Sequence, residues 1–149
     1  MNGCASNPTA TPHYNFSRSL TNNQHMVPDL LMKIRQWMVG IGVPQNKITN
    51  IQIVVAEALN NIIEHGFSIE NFGTIDIQIE VDDDSTVVEL MDNGKKFTPP
   101  NISKTPLIDS TDFENLPEGG FGWFLITEIT SSFELQRHLN MNKLILRFR

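Results

Sequence analysis

The stretch "GTIDIQIEV" alternates strictly, with Ile75, Ile77, Ile79 and Val81 set against Asp76, Gln78 and Glu80. A period of two belongs to a strand with one buried face. "DDDS" then reads as a turn and "TVVELMD" as the returning strand. The acid cluster Asp82 to Asp84 reads as a solvated hairpin tip and not as a metal site. "YNFSRSL" (14–20) alternates well enough to be a further strand. Near the end, "SFELQRHL", a turn "NMN" and "KLILRFR" predict a closing hairpin.

Two stretches follow the helical period instead. "VPDLLMKIRQWMVGIGVP" has Pro28 at a helix start and Gly40 and Gly42 at its end. Leu30, Leu31, Ile34, Trp37 and Met38 form its apolar face, with Trp37 expected in the core. "NKITNIQIVVAEALNNIIEHGF" is a longer helix. Ile48, Ile51, Val55, Ala58, Leu59, Ile62 and Ile63 fall on one side. Glu57, Asn60, Asn61, Glu64 and His65 fall on the other, where Ile53 and Val54 also lie one turn earlier. A helix apolar nearly all round at its start and polar on one side near its end is expected to be buried, with that end facing a polar space. "GGFGWFLITEIT" reads as a glycine-rich loop opening a third helix.

The order is strand, two helices, two strands, a long loop, helix, two strands. Strands that mostly follow one another directly imply an antiparallel or mixed sheet, which three helices can cover on one face. The expected class is α+β, a two-layer α/β sandwich with a mixed, mostly antiparallel sheet. Residues 1–13 are expected to be a flexible N-terminal segment and 14–149 the domain. The loop at 95–118 carries Pro99, Pro100, Pro106 and Pro117. An irregular segment of that length in a small domain is usually functional, often a lid.

Composition narrows the classes. The 149 residues are 40% hydrophobic, enough for one core, and carry a net charge of −6. An acidic chain is a poor binder of nucleic acid, which needs clustered Lys and Arg. No apolar run approaches the ~20 residues that span a bilayer, and the start has no apolar region of a signal peptide. Cys4 is the sole cysteine, so no internal disulfide forms. A cytoplasmic protein without direct membrane or nucleic-acid contact is expected.

Three segments carry candidate chemistry. In "EALNNIIEH", Glu57, Asn61 and His65 are four apart and share a helix face. "DNGKKF" holds Asp92 and Gly94, and "GGFGWF" holds Gly119, Gly120 and Gly122 at a helix start. Taken singly, each fits an ordinary feature: a solvated helix face, a turn tripeptide, a helix entry with glycines.

Together and in this order they resemble the ATP-binding boxes of the superfamily of gyrases, heat-shock chaperones, histidine kinases and mismatch-repair ATPases (GHKL). "VVAEALNNIIEHGF", "MDNGKKFTPP" and "EGGFGWFLI" are similar to its small single-domain branch, the anti-sigma factor serine/threonine kinases. The resemblance runs from about residue 14 to the C-terminus and implies a Bergerat-type ATP-binding fold. It implies that Asp92 accepts a hydrogen bond from the adenine amine, with Gly94 permitting close approach and Phe97 at the nucleotide. Asn61 is the protein ligand it implies for Mg²⁺, whose remaining positions go to water and phosphate oxygens. Gly119, Gly120 and Gly122 would let backbone N–H groups at a helix N-terminus face the phosphates. Glu57 is the candidate general base. His65 is expected to hydrogen-bond near the helix end in a structural role.

Two departures qualify the match. Many members of the superfamily have a second glycine where this chain has Lys96, which favours the small kinase branch. This sequence shows no phospho-acceptor histidine helix and no dimerisation hairpin, so this chain is not expected to be a complete sensor histidine kinase. The resemblance implies a kinase that holds a sigma factor and phosphorylates Ser or Thr on an anti-anti-sigma (STAS-type) protein. Homodimers are common in that family. A non-catalytic, nucleotide-gated partner switch is the alternative, and a detached histidine kinase catalytic domain is a third reading.

Overall fold

A computed structural model describes residues 10–99 and 120–149. Along the chain run β1 (Tyr14–Thr21), a single 3₁₀ turn (Gln24–Met26), α1 (Val27–Gly40), α2 (Gln45–Gly66), β2 (Thr74–Val81) and β3 (Thr86–Asp92). After them come α3 (Gly120–Ile129), β4 (Ser132–His138) and β5 (Met141–Phe148). Pro28 sits in the first turn of α1, where its missing N–H is no loss. The helix closes where Ile41 N–H bonds the Trp37 carbonyl at 3.2 Å.

The strands form one sheet in the order β1-β2-β3-β5-β4. All four pairings are antiparallel, so the sheet is antiparallel throughout the described residues and the mixed component expected from sequence is not found there. Helices cover one face. Ile75, Ile77, Ile79, Val88, Leu90 and Leu146 point inward from the sheet and are fully buried against Ile34, Met38, Ile48, Ile51, Val54 and Leu59. Each such side chain contributes about 1.5–3 kcal/mol by leaving water. The other sheet face is polar, with Lys143 paired to Glu89 at 3.1 Å and Arg147 to Glu134 at 3.7 Å. No helix among the described residues is long and apolar enough to cross a membrane.

The Asp82 carboxylate closes the β2–β3 turn by accepting from Asp84 N–H at 2.9 Å and Ser85 N–H at 2.7 Å. These bonds hold its pKa below the usual carboxylate value.

Two further expectations need correction. Ile53 is 38% exposed, so the start of α2 is not apolar all round; Val54 beside it is buried, because one residue of helical rotation is enough to leave the core. The last turn is not "NMN". It is Leu139–Asn140, with φ of 48° and 64°, and β5 starts at Met141. A tight hairpin needs two left-handed residues, and here Leu139 takes one of those positions despite its Cβ. The loop expected at 95–118 is irregular over 95–99, and its remainder, like residues 1–9, lies outside the described residues.

Candidate functional site

The C-terminal half of α2, the end of β3, the start of β5 and the start of α3 meet at one end of the core. The β3–β5 register sets Asp92 opposite Asn142. Both are on the inward parity of their strands and both are buried, at 3% and 5% exposure. Asp92 Oδ1 accepts from Gly94 N–H and from Asn142 Nδ2, each at 2.9 Å. Asn142 Nδ2 also donates to the Lys95 carbonyl at 2.9 Å, and its Oδ1 accepts from Arg137 Nη1 at 2.8 Å. The same Arg137 nitrogen reaches the Gly94 carbonyl at 3.2 Å. Burial pushes the Asp92 pKa above its ordinary value, against the pull of the Asn142 and Gly94 bonds and the Arg137 charge. Both bonds to this carboxylate fall on Oδ1, which leaves Oδ2 as an acceptor.

The turn after β3 is clamped to the end of α2. Lys95 N–H bonds the Gly66 carbonyl at 2.9 Å. A Cβ on Gly94 would stand 2.6 Å from that carbonyl oxygen and 2.9 Å from Asp92 Oδ1. The close approach that glycine permits here is therefore first of all between two pieces of backbone.

At the start of α3, a Cβ on Gly122 would lie 2.4 Å from Glu57 Oε2 and 3.7 Å from Asn61 Nδ2. Glu57 and Asn61 thus lie against the first described turn of α3. Asn61 is buried at 6% exposure although it lies on the polar side of α2. Trp123 is buried behind Gly122, stacked on Phe97 with centroids 5.3 Å apart and tilted against Phe133 at 5.5 Å. A cavity of about 10 Å³ lies between Asn61, Asp92, Phe97, Trp123 and Asn142. Asn61 Nδ2 and Trp123 Nε1 are buried without a hydrogen-bond partner among the described residues.

The histidine kinase-like ATPase domain family matches residues 20–148. The chain belongs to that family. Serine-protein kinase RsbW of Bacillus cereus strain AH187 is 30% identical over 121 residues, covering 77% of this chain and 75% of that one. RsbW of Bacillus thuringiensis subsp. konkukian strain 97-27 is 28% identical over the same shares. These relatives put the chain in the serine-protein kinase branch of the family. The solved RsbU and RsbW domains of Rv1364c from Mycobacterium tuberculosis superpose with a TM-score of 0.65 at 15% identity, over 91% of this chain and 32% of that one. A chain of the SiaB–SiaC complex from Pseudomonas aeruginosa superposes at 0.52 with 13% identity, over 88% of each. At such identities both likenesses speak for the fold.

For this member of the histidine kinase-like ATPase family, the structure brings together Glu57, Asn61, Asp92, Gly94, Phe97 and Gly122. Gly120 opens α3, and Gly119 lies outside the described residues. His65 does not join them. It is exposed on the last turn of α2, and its side chain makes no hydrogen bond among the described residues, because that turn points it to solvent. The stripe of Glu57, Asn61 and His65 is therefore not one solvated face: Asn61 turns under α3 and His65 away from it.

Sequence reasoning missed Asn142, Arg137 and Trp123. One signal was available for Asn142, which shares strand parity with Leu144, Leu146 and Phe148 and so stands at an inward position. Arg137, on an exposed edge strand, gave none.

Proposed function

We propose that residues 14–149 form an ATP-dependent serine/threonine protein kinase domain of the anti-sigma factor type. In this reading it acts in the cytoplasm, holds a sigma factor and phosphorylates a STAS-type anti-anti-sigma partner. The observation that carries the proposal is the convergence of the buried Asp92 carboxylate with Glu57, Asn61 and Gly122 at the start of α3. The family match and the serine-protein kinase relatives support it.

The residues fit a magnesium nucleotide. Asp92 Oδ2 is an acceptor for the exocyclic amine of adenine, where guanine carries an oxygen. The first turn of α3 offers N–H groups and a positive helix end to phosphates. No group of three or more His, Cys, Asp or Glu that could hold a metal occurs among the described residues. Mg²⁺ would therefore be held by Asn61 Oδ1 together with phosphate oxygens and water, the few-ligand arrangement usual for this ion. Bound MgATP supplies the phosphoryl group to be transferred. Glu57 would accept the proton of the partner's Ser or Thr hydroxyl as that oxygen bonds to the γ-phosphorus and the bond from phosphorus to the bridging oxygen breaks, with ADP as the leaving group. Phe97 and Trp123 shield the inner side of the site from bulk solvent.

Glu57→Ala and Asn61→Ala test the roles. Glu57→Ala should retain most of its ATP affinity while phosphotransfer falls by ~10²- to 10⁴-fold. Asn61→Ala should weaken Mg²⁺-dependent binding and lose transfer with it. Phosphoamino-acid analysis of the labelled partner should give phosphoserine or phosphothreonine. Wild-type transfer rates in Glu57→Ala would remove Glu57 from the mechanism, and phosphohistidine in the partner would overturn the class.

A further inference from the structure

Two donors at the core end of the site have no partner among the described residues. Asn61 is 6% exposed and Trp123 3%, and both Nδ2 and Nε1 are enclosed. Buried N–H groups in folded proteins are almost always satisfied by protein or by ordered water. Both residues line the same cavity, beside Asp92 and Asn142. Its volume of about 10 Å³ is near the least that holds one water and far below that of a base.

The remaining groups around the cavity are largely committed. Asn142 donates to Asp92, Gly94 and Lys95 and accepts from Arg137. Asp92 Oδ1 takes two bonds and Oδ2 neither of them. A single water matches what is left. Its oxygen accepts from Trp123 Nε1–H and Asn61 Nδ2–H, and one of its hydrogens goes to Asp92. Three partners is the usual number for a buried water.

We propose that one ordered water bridges Trp123, Asn61 and Asp92, and that Trp123 is thereby a positioning residue for Asn61. The bridge fixes the amide with its nitrogen inward and its oxygen outward. Asn61 Oδ1 makes no hydrogen bond among the described residues and is not among the enclosed, unpartnered atoms as Nδ2 is, so it is the amide atom that faces the rest of the site. An amide free to flip would present a nitrogen to a cation half of the time. The positioning role rests on the reading that Asn61 serves a metal–phosphate group. The water itself rests on the two donors and the cavity.

The test uses the whole protein labelled with ¹⁵N. The chain has two tryptophans, so Trp37→Phe assigns the two indole N–H signals. The Trp123 indole proton should show a cross-peak to a long-lived water in the nucleotide-free protein. Trp123→Phe keeps a ring and removes the donor. It should raise the Mg²⁺ concentration for half-maximal ATP binding by roughly two- to tenfold, the worth of one net hydrogen bond, and leave the ATP-to-GTP preference unchanged. Where Trp123→Phe does not fold, the cross-peak in the wild type decides. A wild type that binds MgATP without the water cross-peak overturns the inference alone. So does a Trp123→Phe protein with an unaltered Mg²⁺ requirement, or one whose base preference shifts instead. A wild type that binds no MgATP overturns the nucleotide reading, and the inference with it.

Discussion

Gly94→Ala tests whether the turn after β3 is held by contact with α2. The added Cβ would meet the Gly66 carbonyl oxygen at 2.6 Å, its carbon at 3.0 Å and Asp92 Oδ1 at 2.9 Å. Ordinary contacts of this kind begin near 3.4 Å, so the turn and the helix end must separate by several tenths of an ångström. Neither can yield cheaply. The Gly66 carbonyl is the acceptor for Lys95 N–H, and the Asp92 carboxylate is fixed by Asn142 and by Gly94 itself. Overpacking of this sort costs about 1–3 kcal/mol. In a domain of this size that lowers the melting temperature by roughly 2–12 °C. Displacing Gly94 also disturbs the bond that orients Asp92, so ATP affinity should fall with stability.

Thermal unfolding followed by circular dichroism measures the first effect and calorimetric ATP titration the second. Gly40→Ala is the control. A Cβ there meets nothing within 4 Å, and at the end of α1 the change should be neutral or stabilise by about 0.5–1 kcal/mol. A Gly94→Ala protein that melts with the wild type and binds ATP equally well would refute the clamp.

Asp92→Asn should dissociate stability from function. The folded state raises the Asp92 pKa above its ordinary 3.8, so the protonated form supports the fold below that pH and the support is lost as pH rises through the folded value. Asn keeps an oxygen for the Gly94 and Asn142 bonds and carries no charge, so the variant should gain melting temperature over the wild type more at pH 7 than at pH 4, while ATP binding weakens about ten- to a hundredfold. A wild type whose margin over the variant grows towards pH 7 would contradict this sign. Gly122→Ala puts a Cβ 2.4 Å from Glu57 Oε2, the free end of a flexible side chain that can swing away. Its melting temperature should hold near that of the wild type while phosphotransfer drops on the order of 10²-fold through misplacement of the carboxylate; unchanged transfer would sever Glu57 from the reaction.

Much of the architecture was legible because two periods carry it. The alternation around Ile75, Ile77 and Ile79 fixes a half-buried strand, and the spacing of Ile48, Ile51, Val55 and Leu59 fixes a buried helix face. What pattern could not supply was register. Parity says that Asn142 points inward, but only the pairing of β3 with β5 says that it faces Asp92. Nor does a helical wheel say where a neighbour sits. Asn61 reads as polar surface on α2 alone and becomes interior once α3 covers it, whereas His65 one turn later stays outside. The hairpin turn was misplaced because Leu139 gives no turn signal, while the asparagines around Met141 do.

Asn61, Asp92 and Asn142 are the buried amide and carboxylate side chains of a core that is otherwise mostly aliphatic, and all three line one cavity at one end of it. Packing alone does not ask for them. Apolar residues of similar shape at such positions are commonly neutral or stabilising, since buried polar groups must recover their desolvation through bonds. Asp92 recovers it incompletely, as the upward direction of its pKa shows. Two donors beside it, on Asn61 and Trp123, have no partner among the described residues. A structural network would close on itself, as the Arg137–Asn142–Gly94 part does. This one closes on the sheet side and stays open toward α2 and α3. The open side is where Glu57 and the first turn of α3 already lie, so the same few residues that weaken the core supply a polar wall for the proposed nucleotide site.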